Sequence, residues 1–216
     1  MLDYRDGSGL LSMDEDWEQR ILQGTGRSYG MELFAQKKTG SFTGWAGYTL
    51  SWADRHFEDL NGGKRFPYKY DRRHDLNIAF MQRFERYNKK YKRQIYDFSA
   101  TWTFSSGHCV TLPVGIVDAS HPILHGLNQT YTPQYFEYSE RNGYRMNPYH
   151  RLDLSFAFVH QFKRGVEQRW VIGLYNAYNR KNPYNVTVEQ DKTGKYRFVQ
   201  YSRMFILPSF SYQFKF

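Results

Sequence analysis

RMFILPSFSYQFKF, residues 203–216, alternates with a period of two. Ile206, Pro208, Phe210, Tyr212, Phe214 and Phe216 fall on one side, and Ser209, Ser211, Gln213 and Lys215 on the other. Successive side chains of an extended strand point to opposite faces, so the stretch predicts a half-buried β-strand with one wholly apolar face. The aromatic row runs to the last residue, where soluble chains usually end in polar, poorly ordered residues.

The same alternation recurs upstream. Residues 26–38 put Met31, Leu33 and Ala35 opposite Gly30, Glu32, Phe34 and Gln36, and residues 41–55 collect Phe42, Ala46, Tyr48, Leu50 and Trp52 on one face. A third strand from Asp71 sets Leu76, Ile78, Phe80 and Phe84 against Asp75, Asn77, Arg83 and Glu85. The fourth, residues 91–104, alternates Tyr96, Phe98, Ala100, Trp102 and Phe104 with Ile95, Asp97, Ser99, Thr101 and Thr103. The fifth, residues 148–163, carries Leu152, Leu154, Phe156, Phe158 and Phe162 opposite Arg151, Asp153, Ser155, Gln161 and Lys163. Residues 168–180 read as a sixth strand whose orientation periodicity leaves open, because neither face is clearly polar.

Between these strands the connections run short, long, short, long, short, long. The short ones are Lys38–Ser41, Asn88–Lys90 and Arg164–Val166, and the long ones are His56–Tyr70, Gly107–Asn147 and Lys181–Tyr201. The last contains a further hairpin around Lys192–Gly194, and Gly107–Asn147 reads as irregular. About seven strands joined this way predict an all-β, antiparallel up-and-down sheet with every short turn at one end. The first residues, Met1–Thr25, are turn-rich and acidic and read as a loop.

Composition narrows the class. Aromatic residues are 19% of 216, with 19 Tyr and 17 Phe, yet the mean hydropathy is −0.76. No run reaches the roughly 18 apolar residues that a spanning helix requires, whereas a transmembrane barrel needs only alternate residues to face lipid. The formal charge of +9 reads as solvated surface rather than a nucleic-acid footprint, since Lys89, Lys90, Lys92 and Arg93 cluster beside a turn and the aromatics follow the strand period. The lone Cys109 forms no intrachain disulfide.

The terminal stretch resembles the last strand of bacterial outer-membrane proteins, whose closing Phe and alternating aromatics are read by the barrel-assembly machinery. Phe210, Tyr212, Phe214 and Phe216 would be that assembly signal. Further segments, YGMELFAQKKTG, GWAGYTLSWADRHF, KRFPYKYDRRHDLNIAF, NPYHRLDLSF and GLYNAYNRKNPYN, resemble in order and spacing the last third of the barrel of TonB-dependent receptors. The resemblance implies residues 26–216 as strands of a transmembrane barrel of about 22 strands in the bacterial outer membrane, with short periplasmic turns and long extracellular loops, and residues 1–25 as an extracellular loop segment. It implies import of a scarce or bulky nutrient, an iron chelate, cobalamin or an oligosaccharide, driven by the TonB energy-transducing protein through a plug domain that this sequence lacks. The partners implied are TonB, the assembly machinery, outer-membrane lipid and the small-molecule or oligosaccharide substrate, with no nucleic acid and no cofactor. Met1–Arg20 has no basic segment followed by an apolar one, so it is not a signal peptide and the chain is expected to be the C-terminal part of a longer polypeptide.

Candidate chemistry is sparse. Tyr131, Tyr135, Phe136, Tyr138 and Tyr144 make the longest loop aromatic and are candidate ligand contacts, with packing among loops as the plainer reading. His108, Cys109, His121 and His125 invite a metal reading, but Pro122 separates the histidines and the spacing matches no zinc pattern, so these read as surface-loop residues. Lys64, Arg65, Lys69, Arg72 and Arg73 form a basic run open to an anionic ligand, to lipid phosphates, or simply to solvent. No nucleophile elbow, Walker loop or zincin motif is present, so no enzyme is expected. The competing architecture is a soluble or small complete β-barrel that holds an apolar ligand inside, which requires the apolar faces to point inward.

Overall fold

The computed structural model describes residues 2–4, 21–88, 93–118, 134–138, 140–162 and 165–216. The expectations for Tyr131, His121, His125, Lys89, Lys90 and Lys92 fall outside the described residues. Those described build an all-β chain: β1 (Leu2–Tyr4), β2 (Ile21–Gln23), β3 (Thr25–Lys37), β4 (Phe42–His56), β5 (Phe66–Pro67), β6 (His74–Arg86), β7 (Arg93–Ser105), β8 (Cys109–Val110), β9 (Pro113–Asp118), β10 (Gln134–Tyr138), β11 (Tyr144–Arg145), β12 (Tyr149–Gln161), β13 (Glu167–Tyr175), β14 (Pro183–Gln190), β15 (Tyr196–Ser202) and β16 (Leu207–Lys215). Among the described residues no helix is long and apolar enough to cross a membrane.

The chain divides into two compact units. The larger, Gly30–Leu50, Arg73–Gly107 and Asn147–Phe216, contains most of the long strands of an antiparallel meander in the order β16-β13-β12-β7-β6-β4-β3, the start of β3 and the end of β4 being counted with the smaller. The connections between these strands are 38–41, 57–73, 87–92, 106–148, 162–166 and 176–206, so the expected alternation of short and long holds. Gly40 and Gly165 take φ of 98° and 82°, which a side chain resists, and each sits in a short connection.

Register decides which side chains share a face. Phe98 pairs with Phe156, Phe156 with Ile172, and Ile172 with Phe210; one layer on, Phe84, Tyr96, Phe158, Trp170 and Tyr212 line up across β6, β7, β12, β13 and β16. Directly opposed residues point the same way, so the aromatic rows of separate strands merge into one continuous face. Register also settles the sixth strand: Trp170, Ile172 and Leu174 belong to the aromatic face, while Arg169, Val171 and Gly173 belong to the other. That strand ends at Tyr175, earlier than the pattern predicts, because Asn176 and Asn179 adopt φ of 53° and turn the chain.

The smaller unit, Met1–Tyr29, Ser51–Arg72 and His108–Met146, has a core of Phe57, Leu60 and Phe66 with Leu22 packed against it. Two expectations are corrected here. Met1–Thr25 is not wholly a loop, since Leu2–Tyr4 pairs antiparallel with Ile21–Gln23. Nor are the described residues of Gly107–Asn147 wholly irregular: β8 pairs with β11 and β9 with β10, nesting one antiparallel ladder inside another. Pro113 opens β9, and a proline is tolerated at the first residue of a strand. Within β4, Asp54 and Arg55 pair with Pro67 and Phe66, so the long connection adds a short strand of its own.

Candidate functional site

The two faces of the sheet differ in what they are made of and in how enclosed they are. On the aromatic face Phe98, Phe156 and Phe210 are 39%, 40% and 65% exposed. On the opposite face Asp97, Ala157 and Val159 are only 5–6% exposed, although that face carries the charges. Arg83 donates to both carboxylate oxygens of Asp97, at 2.7 and 2.9 Å, in the bidentate arrangement that suits a guanidinium. Arg93 holds Glu85, Gln161 donates to Glu167 at 2.8 Å, and Asn77 to Asp75 at 2.5 Å. Arg151 donates to Asp153 and to the Tyr149 hydroxyl, both at 2.9 Å, and also to Tyr175 while lying 4.0 Å over that ring. Asp97 and Asp153, expected on the polar face, are there, each paired with an arginine.

A concavity of about 390 Å³ on the polar face is lined by Gln36, Lys37, Thr43, Trp45, Met81 and Thr101 among others. Trp45 stacks on Phe34 at 6.1 Å, so this face carries an aromatic pair that the Thr, Ser and Gly around it concealed in the sequence.

The terminal signal residues sit as follows. Phe210 and Tyr212 oppose Ile172 and Trp170, with Tyr212 4.4 Å from Trp170, and Phe214 opposes Gln168. Phe216 lies beyond the strand and is 97% exposed. Strands β16 and β3 are the two ends of the strand order and are exposed along their whole length.

The aromatic loop residues are not assembled into one platform. Tyr135 and Phe136 are neighbours in β10 and point to opposite sides, opposed by Val117 and Ile116. Tyr138 follows a register shift against Pro113, and Tyr144 belongs to the separate β8–β11 ladder. All four are exposed.

Among the described residues no group of three or more metal-ligating side chains gathers, and His121 and His125 lie outside those residues. Cys109, expected at a loop surface, is buried: its backbone N–H donates to the Lys69 carbonyl at 3.1 Å, and the loop base closes over it. Burial first, and then the charges of Arg72 and Lys69, hold the neighbouring His108 imidazole below the usual histidine value. Asp71 fastens the same region, accepting from the Ala53 N–H at 2.7 Å and from the Arg145 guanidinium.

Three arrangements escaped the sequence reading. Asn176 is fully buried, donating to the carbonyls of Arg180 and Met204 and accepting from the Arg180 N–H. Asn182 both donates to and accepts from the backbone of His150 at 2.9 Å, so its amide acts as a substitute strand partner. Arg27 shares Asp54 with Arg65, at 2.7 Å each. The asparagine spacing in NAYNRKN was the available signal, since Asn tolerates positive φ and mimics backbone. For Arg27 there was none, because its partners lie far along the chain.

Comparison with known proteins finds no matching protein-family model, no matching curated protein and no matching solved structure.

Proposed function

We propose that this chain is the C-terminal barrel wall of a TonB-dependent outer-membrane receptor, a transporter component and not an enzyme. Residues 26–216 supply transmembrane strands and long extracellular loops, and residues 1–25 an extracellular loop segment. The observation that carries the reading is the inverted sheet: an aromatic face left open across the strands, and a charged face enclosed and internally paired. Soluble monomers seldom leave a contiguous apolar patch beyond a few hundred Å² uncovered, whereas a barrel in lipid requires apolar side chains outward and polar ones toward the lumen. The sorted connections support the same reading, because outer-membrane barrels keep short turns on one side and long loops on the other.

Transport follows from that arrangement. The paired charges of the inner face line a polar passage, the loop aromatics Tyr135, Phe136, Tyr138 and Tyr144 meet an iron chelate, cobalamin or oligosaccharide outside, and TonB delivers proton-motive force through the plug of the complete receptor. Phe210, Tyr212, Phe214 and Phe216 are presented to the barrel-assembly machinery. An open sheet leaves N–H and C=O groups of both edges without partners at several kcal/mol each in lipid, so β3 and β16 pair with further strands of the closed barrel.

An immunoblot of fractionated source cells with an antibody to residues 107–147 tests this. A band in the outer-membrane fraction, several-fold heavier than 25.9 kDa, is expected. A band near 25.9 kDa in the soluble fraction would overturn the proposal and favour the ligand-binding soluble barrel.

A further inference from the structure

Along β4 the apolar row Phe42, Ala46, Tyr48 and Leu50 continues into Trp52 and then Asp54. Trp52 is stacked on Tyr29 of β3, with ring centres 5.3 Å apart and planes within 11°. Two residues farther out on both strands, Arg27 of β3 donates its Nε–H to Asp54 at 2.7 Å. Arg65, just before β5, donates an Nη–H to the other oxygen of the same carboxylate, also at 2.7 Å. Because β5 pairs with the end of β4, opposing Pro67 to Asp54, the chain just before β5 brings Arg65 to the carboxylate that Arg27 also holds.

Two guanidiniums on one carboxylate leave one net positive charge. Asp54 is the enclosed member, at 20% exposure, while Arg27 and Arg65 are 58% and 43% exposed. Asp54 thus fixes both arginines by one bond each, Arg27 through Nε and Arg65 through an Nη, while leaving about half of each side chain exposed. Such a held fork is the geometry that matches a phosphate, since guanidinium is planar and can donate two parallel bonds. The order apolar row, stacked Tyr–Trp pair, cationic row repeats the order hydrocarbon, interface, headgroup across a membrane boundary.

We infer that Arg27 and Arg65, oriented by Asp54, form a site for the phosphate of a lipid headgroup bordering β3 and β4 at their long-loop end. The inference rests on the reading of the aromatic face as lipid-facing. Tyr29 and Trp52 flank the upper acyl region of that lipid, and the arginines take its phosphate. Of the basic run 64–73, only Arg65 belongs to this row, and its partner Arg27 comes from a different part of the chain.

The protein, extracted from its own membrane in mild detergent as the polypeptide it belongs to, is titrated with phosphatidic acid and separately with phosphatidylcholine, and retained lipid is read by native mass spectrometry. Phosphatidic acid is expected to be preferred. Each arginine near a membrane surface contributes about 1 kcal/mol, roughly fivefold, so the preference should fall by more than tenfold in the Arg27→Gln/Arg65→Gln double variant. The Arg27→Lys/Arg65→Lys variant keeps both charges and should retain most of it. Should the glutamine variant fail to assemble, added salt on the unaltered protein probes the same charges: the preference must weaken, because both arginines are exposed. An unchanged preference in the glutamine variant, or indifference to salt, overturns the site while leaving the lipid-facing reading standing. Displacement of the lipid by inorganic phosphate alone would reassign the site to a free anion and overturn the headgroup proposal. A protein that stays soluble without detergent and retains neither lipid overturns both.

Discussion

The two faces of the sheet share every backbone hydrogen bond yet obey opposite rules. On one, Phe84, Tyr96, Phe158, Trp170 and Tyr212 form a row of rings in which Phe84, Trp170 and Tyr212 are exposed and Tyr96 and Phe158 half-buried. On the other, Asp97, Ala157 and Val159 of the same strands are buried, and the Asp97 carboxylate is answered by Arg83. In water the free-energy gain comes from enclosing the rings and leaving ions hydrated. The reverse distribution is what the proposed outer-membrane reading requires, with lipid against the aromatic side and the polar side toward a lumen.

The comparison breaks most visibly if a charge is moved to the wrong face. Phe98→Arg or Phe156→Arg is expected to cost about 2–4 kcal/mol of folding free energy near a bilayer midplane. Thr101→Arg, a position on the polar face opposite Asp153, should be close to neutral. Folded protein in the membrane fraction, followed by its heat-dependent electrophoretic mobility, measures all three. Equal assembly of the phenylalanine variants and the threonine variant would remove the distinction between the faces.

A smaller effect tests the interior. Arg83→Met leaves the enclosed Asp97 carboxylate without its two donors, at a cost of about 1–3 kcal/mol. Replacing both, Arg83→Met with Asp97→Leu, removes the unpaired charge and should recover much of that loss. Urea titration in detergent, following tryptophan fluorescence, reads the cycle. If the double variant is no more stable than the single one, the pair is acting by packing and not by charge.

What the sequence made legible follows from the same contrast. A period of two is local, so the strands around Phe98, Phe156 and Phe210 and the short turns at Gly40 and Gly165 could be read directly. Trp170 to Leu174 could not, because Val171 and Gly173 blur the polar side and only pairing with β12 and β16 assigns the faces. The nested ladders of Gly107–Asn147 were hidden because their strands are as short as Cys109–Val110, too brief for a period to register. The candidate sites were less legible still. Arg83–Asp97 joins neighbouring strands, but Arg27, Asp54 and Arg65 meet only once β3, β4 and β5 are aligned, and Asn182 reaches a backbone partner at His150. Long-range pairing leaves no trace in spacing.

The weakest predicted effect lies at the base of the longest connection. Burial, helped by Arg72 and Lys69, makes His108 a poorer base in the folded protein than in the unfolded chain, whose histidine titrates near 6.5. Well above that value both states hold neutral imidazole, and His108 adds no pH dependence. As the pH falls below about 6.5, the unfolded chain takes up a proton that the folded loop base resists, so stability declines until the folded imidazole is itself protonated. The amides of Cys109 and Met146 report on this, since they donate to the Lys69 and His108 carbonyls at 3.1 and 3.0 Å. Their hydrogen-exchange protection, corrected for intrinsic rate, should weaken on acidification through that window, and His108→Gln should flatten the profile while the amides at the centre of β7 and β12 stay unaffected. Protection that strengthens as the pH falls would mean that His108 is held as a cation, and the burial of this loop base would have to be reassigned.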